Sequence, residues 1–244
     1  MNLLRNLIRP YLYTRYGFHR VTGTGAFRGD RIRYIHCSAE SHWNPLKQAI
    51  WKYHVKQFHD SSCSVASVVS CINAVRSLEK GGIDPIGQRD ILDRVTTGHW
   101  RERMSDGGYR GRRGLPLTLL GQVVKDSVAA YGLIVQSVEI VQTPKYTPAN
   151  SPIRLMLKKC LRDFDRHGNG LVIAHFDQGT FIPTLNIPHI SPVGAYDAAT
   201  GRVTMLDVDA GAKSPYQVDF ETFFRGLSCD YHRVFAAFGY GSGG

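Results

Sequence analysis

HISPVGAYDAATGRVTMLDVD, residues 189–209, reads as two β-strands joined by a turn near Ala198–Gly201. Ile190–Tyr196 and Arg202–Val208 are rich in Val, Ile and Tyr and are bounded by Gly, Asp and Pro, the marks of an antiparallel hairpin. His189 begins the first strand and Asp207 ends the second, so the hairpin carries an imidazole and a carboxylate to the same end of a sheet. A four-residue loop at 198–201 pairs 197 with 202 and sets Asp207 opposite Pro192, on the face that His189 does not share. A bulge or another loop length is therefore required, and Pro192 makes a bulge reasonable. Asp209, opposite 190 in that register, competes for the place beside the histidine.

Outward from the hairpin, Gly170–Phe176 and Arg233–Tyr240 read as further strands, and Arg31–His36 as one nearer the start. Before them the periodicity is helical. Ser64–Leu78 repeats Val65, Val68, Ile72 and Val75 at three- and four-residue steps, with Asp60, Ser61 and Ser62 as candidate N-caps and Gly81–Gly82 as the stop. Residues 86–96 and 116–131 and Ile153–Phe164 follow the same rule, with Cys160 read as a packing residue. Helices first and an antiparallel sheet after them predict an α+β fold. The first 45 residues are read as a basic extension and 46–244 as one catalytic domain.

The chain has 244 residues with 43% hydrophobic side chains, enough to bury a core. No run reaches the roughly 18 apolar residues of a membrane span, and the start lacks the features of a secretory signal, so a cytoplasmic location is the default. Five cysteines (37, 63, 71, 160, 229), odd in number and without a CxxC pair, argue against a disulfide framework or a zinc site. His54 and His59 read as surface or locally bonded histidines. Of the net charge of +10, residues 1–33 supply seven arginines against one aspartate. Such a segment suits phosphate or carboxylate partners without choosing among them, and no specific nucleic acid is expected. Leu3, Leu4, Leu7, Ile8 and Tyr11 lie on one helical face, limited by Pro10. Residues 1–20 thus offer a peripheral membrane contact or an organelle-targeting sequence, although a helix docked on its own domain is the preferred reading. TGTGAFRG at 22–29 is a loop, lacking the strand and helix of a nucleotide-binding fingerprint.

QFHDSSC, residues 57–63, leads into the first long helix. A thiol at a helix N-terminus faces the positive end of the macrodipole, which favours the thiolate and marks Cys63 as the candidate nucleophile. Gln57, six positions upstream, can fold back to join the Cys63 backbone N–H as an oxyanion donor. His189 then serves as base and Asp207 as its orienting carboxylate. The loop MSDGGYRGRRG holds Arg110, Arg112 and Arg113 among glycines and is expected to be mobile and cationic.

QFHDSSCSVASVVSCINAV resembles the nucleophile segment of phytochelatin synthases, a papain-like family of cysteine acyltransferases. HISPVGAYDAATGRVTMLDV is similar to the family's GHFSPIGGYN…ILDV segment, with histidine and aspartate again 18 positions apart. GLPLTLLGQVV, the amphipathic helix after it and LVIAHF follow the family's order, so the resemblance covers roughly residues 50–240. It implies a papain-like fold in which a helical part carrying the nucleophile packs on an antiparallel sheet carrying His and Asp. It further implies attack of Cys63 on glutathione or a related γ-glutamyl thiol peptide, release of glycine, and transfer of the γ-glutamylcysteinyl group to water or to a second thiol peptide. No cofactor or metal site is implied, although a thiolate-bound heavy metal can arrive with the substrate. Ser64 stands where the family has glycine and is counted with the substrate contacts. Asp207-Val208-Asp209-Ala210 replaces the family's Asp-Val-Ala-Arg, which removes an arginine that would face the donor carboxylate. Arg110, Arg112 and Arg113 are the candidate replacement, because guanidinium binds carboxylate in a fork. A peptidase or isopeptidase on another peptide, and an inactive basic module binding membrane or nucleic acid, are the competing readings.

Overall fold

The computed structural model describes Thr14, Val21 and residues 31–36, 42–81, 84–144, 147–182 and 187–228. The expected N-terminal helix, the 22–29 loop, the strand Arg233–Tyr240, Cys37 and Cys229 lie outside these residues. In chain order the elements are β1 (Arg33–Tyr34), α1 (Pro45–Lys52), α2 (Cys63–Lys80), α3 (Gln88–Arg94), a 3-10 turn (Thr97–His99), α4 (Trp100–Arg103), α5 (Leu117–Ala130), α6 (Pro152–His167), β2 (Ile173–Asp177), α7 (Gln178–Phe181), β3 (Pro188–Asp197), β4 (Arg202–Met205), β5 (Tyr216–Asp219) and α8 (Phe220–Leu227). The strands form one antiparallel sheet in the order β1-β5-β4-β3-β2. Helices precede most of the sheet in sequence, and the architecture is α+β.

α2 is the central element. Its residues Cys63–Ala74 are buried on every side, which explains the serines and alanines between its valines. Each buried hydroxyl has a partner, as the interior requires. Ser70 Oγ donates to Ala66 O at 2.7 Å and accepts from Val55 N–H at 3.1 Å. Ser67 Oγ lies 2.8 Å from Cys63 O and 2.9 Å from Ile190 O, so one proton is shared between the helix and β3. Cys71 and Ala74 pack with the sheet, α1, α6 and α8, whereas Cys63 to Ile72 otherwise pack with α3, α4 and α5. The start of α2 therefore lies where two clusters of apolar side chains meet, and Ile190 and Val208, the neighbours of His189 and Asp207, belong to the same cluster as Cys63.

The register of the hairpin decides where Asp207 points. Asp197 pairs with Arg202, Tyr196 with Val203 and Ala195 with Thr204, but Val193 then pairs with Met205. Gly194 is the extra residue of a β-bulge. Past it Leu206 N–H donates to Pro192 O at 3.0 Å, which moves Asp207 from opposite Pro192 to opposite Ser191 and onto the face of His189. Two contacts hold the bulge. A Cβ at position 194 would come within 2.6 Å of Leu206 Cγ, so only glycine fits without a shift. The unpaired Gly194 carbonyl accepts the Trp51 indole N–H from α1 at 2.7 Å.

Three sequence expectations are corrected. Ser62 occupies the N-cap of α2 but makes no side-chain capping bond; its hydroxyl turns back to His59 O at 2.8 Å, leaving the first-turn N–H groups uncapped. Cys160 is exposed rather than packed, because it lies on the flank of the face by which α6 buries Leu157, Leu161 and Phe164. The strand expected at Arg31–His36 is shorter: only Arg33 and Tyr34 pair with β5, while Arg31 N–H donates to Phe181 O at 3.0 Å.

Replacing Trp51 by Phe keeps an aromatic ring, though a smaller one, and removes the donor to the bulge. It should lower unfolding free energy by about 1–3 kcal/mol, the penalty for a buried polar group left unpaired. Urea denaturation measures this, and an unchanged midpoint with unchanged slope would show that the bulge needs no support from α1.

Candidate active site

The bulge brings His189 and Asp207 together. His189 Nε2 lies 2.8 Å from Asp207 Oδ1, and both side chains are almost wholly buried. With a carboxylate at Nε2, that nitrogen carries the proton of the neutral ring, and Nδ1 becomes the free acceptor. Cys63 acts on the same ring, adding a smaller upward contribution to the His189 pKa beside that of Asp207. Phe176, directly opposite on β2, meets the imidazole edge-on at 5.6 Å and restricts its tilt. Cys63 belongs to the same apolar cluster as Ile190 and Val208, the neighbours of His189 and Asp207, so thiol, imidazole and carboxylate share the seam between helices and sheet.

Electrostatics favour the charged form of this pair. Burial alone would lower the His189 pKa, but the field and hydrogen bond of Asp207, with a smaller part from Cys63, outweigh it in sum and raise it above its ordinary 6.5. Burial would raise Asp207, yet His189, the Tyr216 hydroxyl and the Asp209 N–H together hold its carboxyl well below the usual range. Asp207 accepts from Tyr216 Oη at 2.6 Å, from Asp209 N–H at 2.8 Å and from Gln178 Nε2 at 3.3 Å. Asp207, not Asp209, is the residue beside the histidine; Asp209 accepts from Gly211 N–H and from Gln178.

The remaining expected residues fall into three groups. Gln57 is tied to the Asp207 side of the site through its backbone, its N–H donating to Val208 O at 2.8 Å. No hydrogen bond among the described residues engages its carboxamide, whose Oε1 is buried. Ser64 is buried behind the helix, where it accepts the Trp100 indole N–H at 3.0 Å and faces Met104 Sδ. Its hydroxyl is thus occupied within the helical core. The arginine loop lies against the turn that leads to Cys63. Asp106 joins Arg113 at 3.0 Å and His59 Nε2 at 3.1 Å, and His59 Nδ1 in turn meets Ser61 N–H at 3.2 Å. Arg113 is thereby held, and Arg110 and Arg112 are exposed. Tyr109 and Arg112 exchange backbone bonds of 3.0 and 2.9 Å around a tight turn, with Arg110 at φ 51° and Gly111 at φ 76°.

No protein-family model matches the chain, and a search of the curated proteins finds no match. Among the described residues no group of three or more His, Cys, Asp or Glu could hold a metal ion, and no helix is long and apolar enough to cross a membrane.

Several residues around the site escape sequence reading. Tyr216, Gln178 and Trp51 each reach it from an element distant in sequence, Ser67 sits one turn after Cys63 on α2, and none belongs to a spacing pattern that names it. Lys56 Nζ donates to Asp207 O at 2.6 Å and Ala212 O at 3.0 Å, bracing the end of the hairpin. His54, expected near the surface, is mostly buried beside this segment. Burial, and then the Lys56 charge, bring its pKa down to about 4, against the opposing pull of Asp207. Cys71 is enclosed two turns further along α2, and burial pushes its thiol up to about 12.

These shifts set the pH dependence of stability. Folded His54 resists a proton that the unfolded chain accepts, so stability is lost as pH falls from 6.5 towards 4. The raised His189 value contributes stability that is complete below 6.5 and lost as pH rises through the folded value. The depressed Asp207 value contributes stability present above 3.8 and lost in stronger acid. The melting temperature should therefore decline between pH 6.5 and 4, and His54→Gln should flatten that decline. Thermal melts across this range test it; an equal slope in both proteins would remove His54 as the cause.

Proposed function

We propose that the chain is a cysteine-dependent acyl-transfer enzyme of papain-like type that acts on a γ-glutamyl thiol peptide such as glutathione. The observation that carries this reading is the His189 ring held between the Asp207 carboxylate and the Cys63 thiol, with the thiol at the start of a buried helix whose first N–H groups have no cap. The phytochelatin-synthase-like pattern of both segments supplies the substrate class.

In the reaction, Cys63 sulfur attacks the carbonyl between the cysteine and glycine of the donor while its proton passes to His189 Nδ1. The oxyanion is met by the first-turn N–H groups of α2 and, as the resemblance implies, by the Gln57 carboxamide. His189 then gives the proton to the departing glycine amine, and a γ-glutamylcysteinyl thioester remains on Cys63. Water, or the α-amine of a second thiol peptide, loses a proton to His189 as it attacks the thioester. The acyl group leaves as γ-glutamylcysteine or as the longer peptide, and the sulfur recovers its proton. The protein supplies every group needed for these steps; a heavy metal enters only as a thiolate complex of the substrate.

Cys63→Ser and His189→Ala should each lower glycine release from glutathione by about a thousandfold or more, because nucleophile and base act as a unit. Full activity in Cys63→Ser would end the assignment. Release of no glycine by the wild-type chain, together with cleavage of another peptide through Cys63, would instead favour a peptidase, a reading that Asp209-Ala210 in place of Ala-Arg permits. Arg112→Ala should raise the donor KM by about tenfold with a smaller change in kcat, the loss of one guanidinium–carboxylate contact. An unchanged KM would remove the loop from donor binding.

A further inference from the structure

The two oxygens of Asp207 are used differently. Oδ1 faces His189 Nε2 at 2.8 Å and accepts the Asp209 N–H at 2.8 Å. Oδ2 points the other way, to Tyr216 Oη at 2.6 Å and Gln178 Nε2 at 3.3 Å. Tyr216 stands on β5, separated from β3 by β4, and Gln178 opens α7; both are fully buried. A carboxylate turns easily about the bond to its Cβ, so contacts on one oxygen leave its plane loosely defined. A strong donor on the second oxygen fixes that plane and, through it, the imidazole.

We propose that Tyr216 is a positioning residue that clamps Asp207 Oδ2 so that Oδ1 stays aimed at His189 and the ring stays aimed at the Cys63 thiol, with Gln178 as a second, weaker clamp. The inference deepens the triad reading above and rests on it. Three observations favour a positioning role over simple packing. The Tyr216 ring is already enclosed by Tyr34 at 6.2 Å and Phe181 at 6.4 Å, so phenylalanine would fill the same space. Its hydroxyl meets the one buried carboxylate that bonds the histidine, at a distance typical of a strong O–H···O⁻ bond. Burial, and then the Asp207 charge, raise the Tyr216 pKa well above 10, so the hydroxyl remains a donor throughout the working range. Gln178 adds a bridge, because its amide lies 3.4 Å from Asp209 Oδ2 as well and holds the two carboxylates at a fixed separation.

Iodoacetamide tests this on the full chain without reference to a substrate. The alkylation rate of Cys63 at pH 6 is followed by peptide mass spectrometry, with exposed Cys160 as the internal reference. Tyr216→Phe should slow Cys63 by about tenfold, the effect of one lost charge-assisted hydrogen bond carried to the ring, and leave Cys160 unchanged. Asp207→Asn should slow Cys63 at least as much, and Tyr216→Phe added to it should slow it no further, since both act through one group. A Tyr216→Phe protein alkylated at Cys63 at the wild-type rate or faster overturns the inference, even if its melting temperature falls. A Cys63 rate that Asp207→Asn leaves unchanged overturns the triad reading and this inference with it. If Tyr216→Phe does not fold, Gln178→Met decides the matter: slowing of about two- to threefold supports the clamp, and an unchanged rate overturns it.

Discussion

The hydrogen bond between His189 and Asp207 exists because β3 carries one residue more than β4 can pair with. Without the bulge at Gly194 the two side chains would stand on opposite faces of the sheet, and no rotamer could join them. Everything around the site bears on that single register shift. Leu206 excludes a side chain at 194, Trp51 from α1 satisfies the carbonyl that the bulge leaves unpaired, and Lys56 holds the backbone of Asp207 from the other side. Ser67 then links the strand carrying His189 to the helix carrying Cys63. The seam between helical and sheet cores is thus fastened by a few directional bonds placed beside the reactive line.

A buried imidazole and carboxylate lose much hydration, and a pair left with unsatisfied oxygens would destabilise the fold. Four donors around Asp207 meet that requirement and hold the carboxylate ionised, while the ionised carboxylate favours a proton on His189. The same helix carries two buried cysteines in different circumstances. Cys71 is enclosed by apolar side chains, which push its thiol up to about 12 and keep it inert. Cys63 sits at the helix start and acts on the His189 ring.

What the sequence makes legible is local. Helix and strand periods, a cysteine opening a helix, and a histidine and an aspartate at matching ends of a hairpin all lie within short windows. The need for a bulge also follows from counting residues across one turn. Its position at Gly194, two residues beyond Pro192, does not, because it depends on Leu206 and on the Trp51 indole. Tyr216 and Gln178 are invisible for the same reason: each reaches Asp207 from an element set by tertiary packing, and a lone Tyr or Gln in a strand or short helix carries no signal. The Trp100 indole on Ser64 is likewise not legible, since it joins two helices through tertiary packing. The strand near the start is legible at Arg31–His36, but its pairing with β5 is not, because that partner lies far along the chain.

The central claim is covalent: Cys63 must carry the acyl group. Full-length protein mixed with glutathione, quenched in acid within the first turnovers and weighed intact, should gain the mass of one γ-glutamylcysteinyl group. Peptide mapping should place that group on Cys63, and it should be absent from Cys63→Ser. An unmodified Cys63 under conditions where glycine is being released, or an adduct on another residue, would contradict the account.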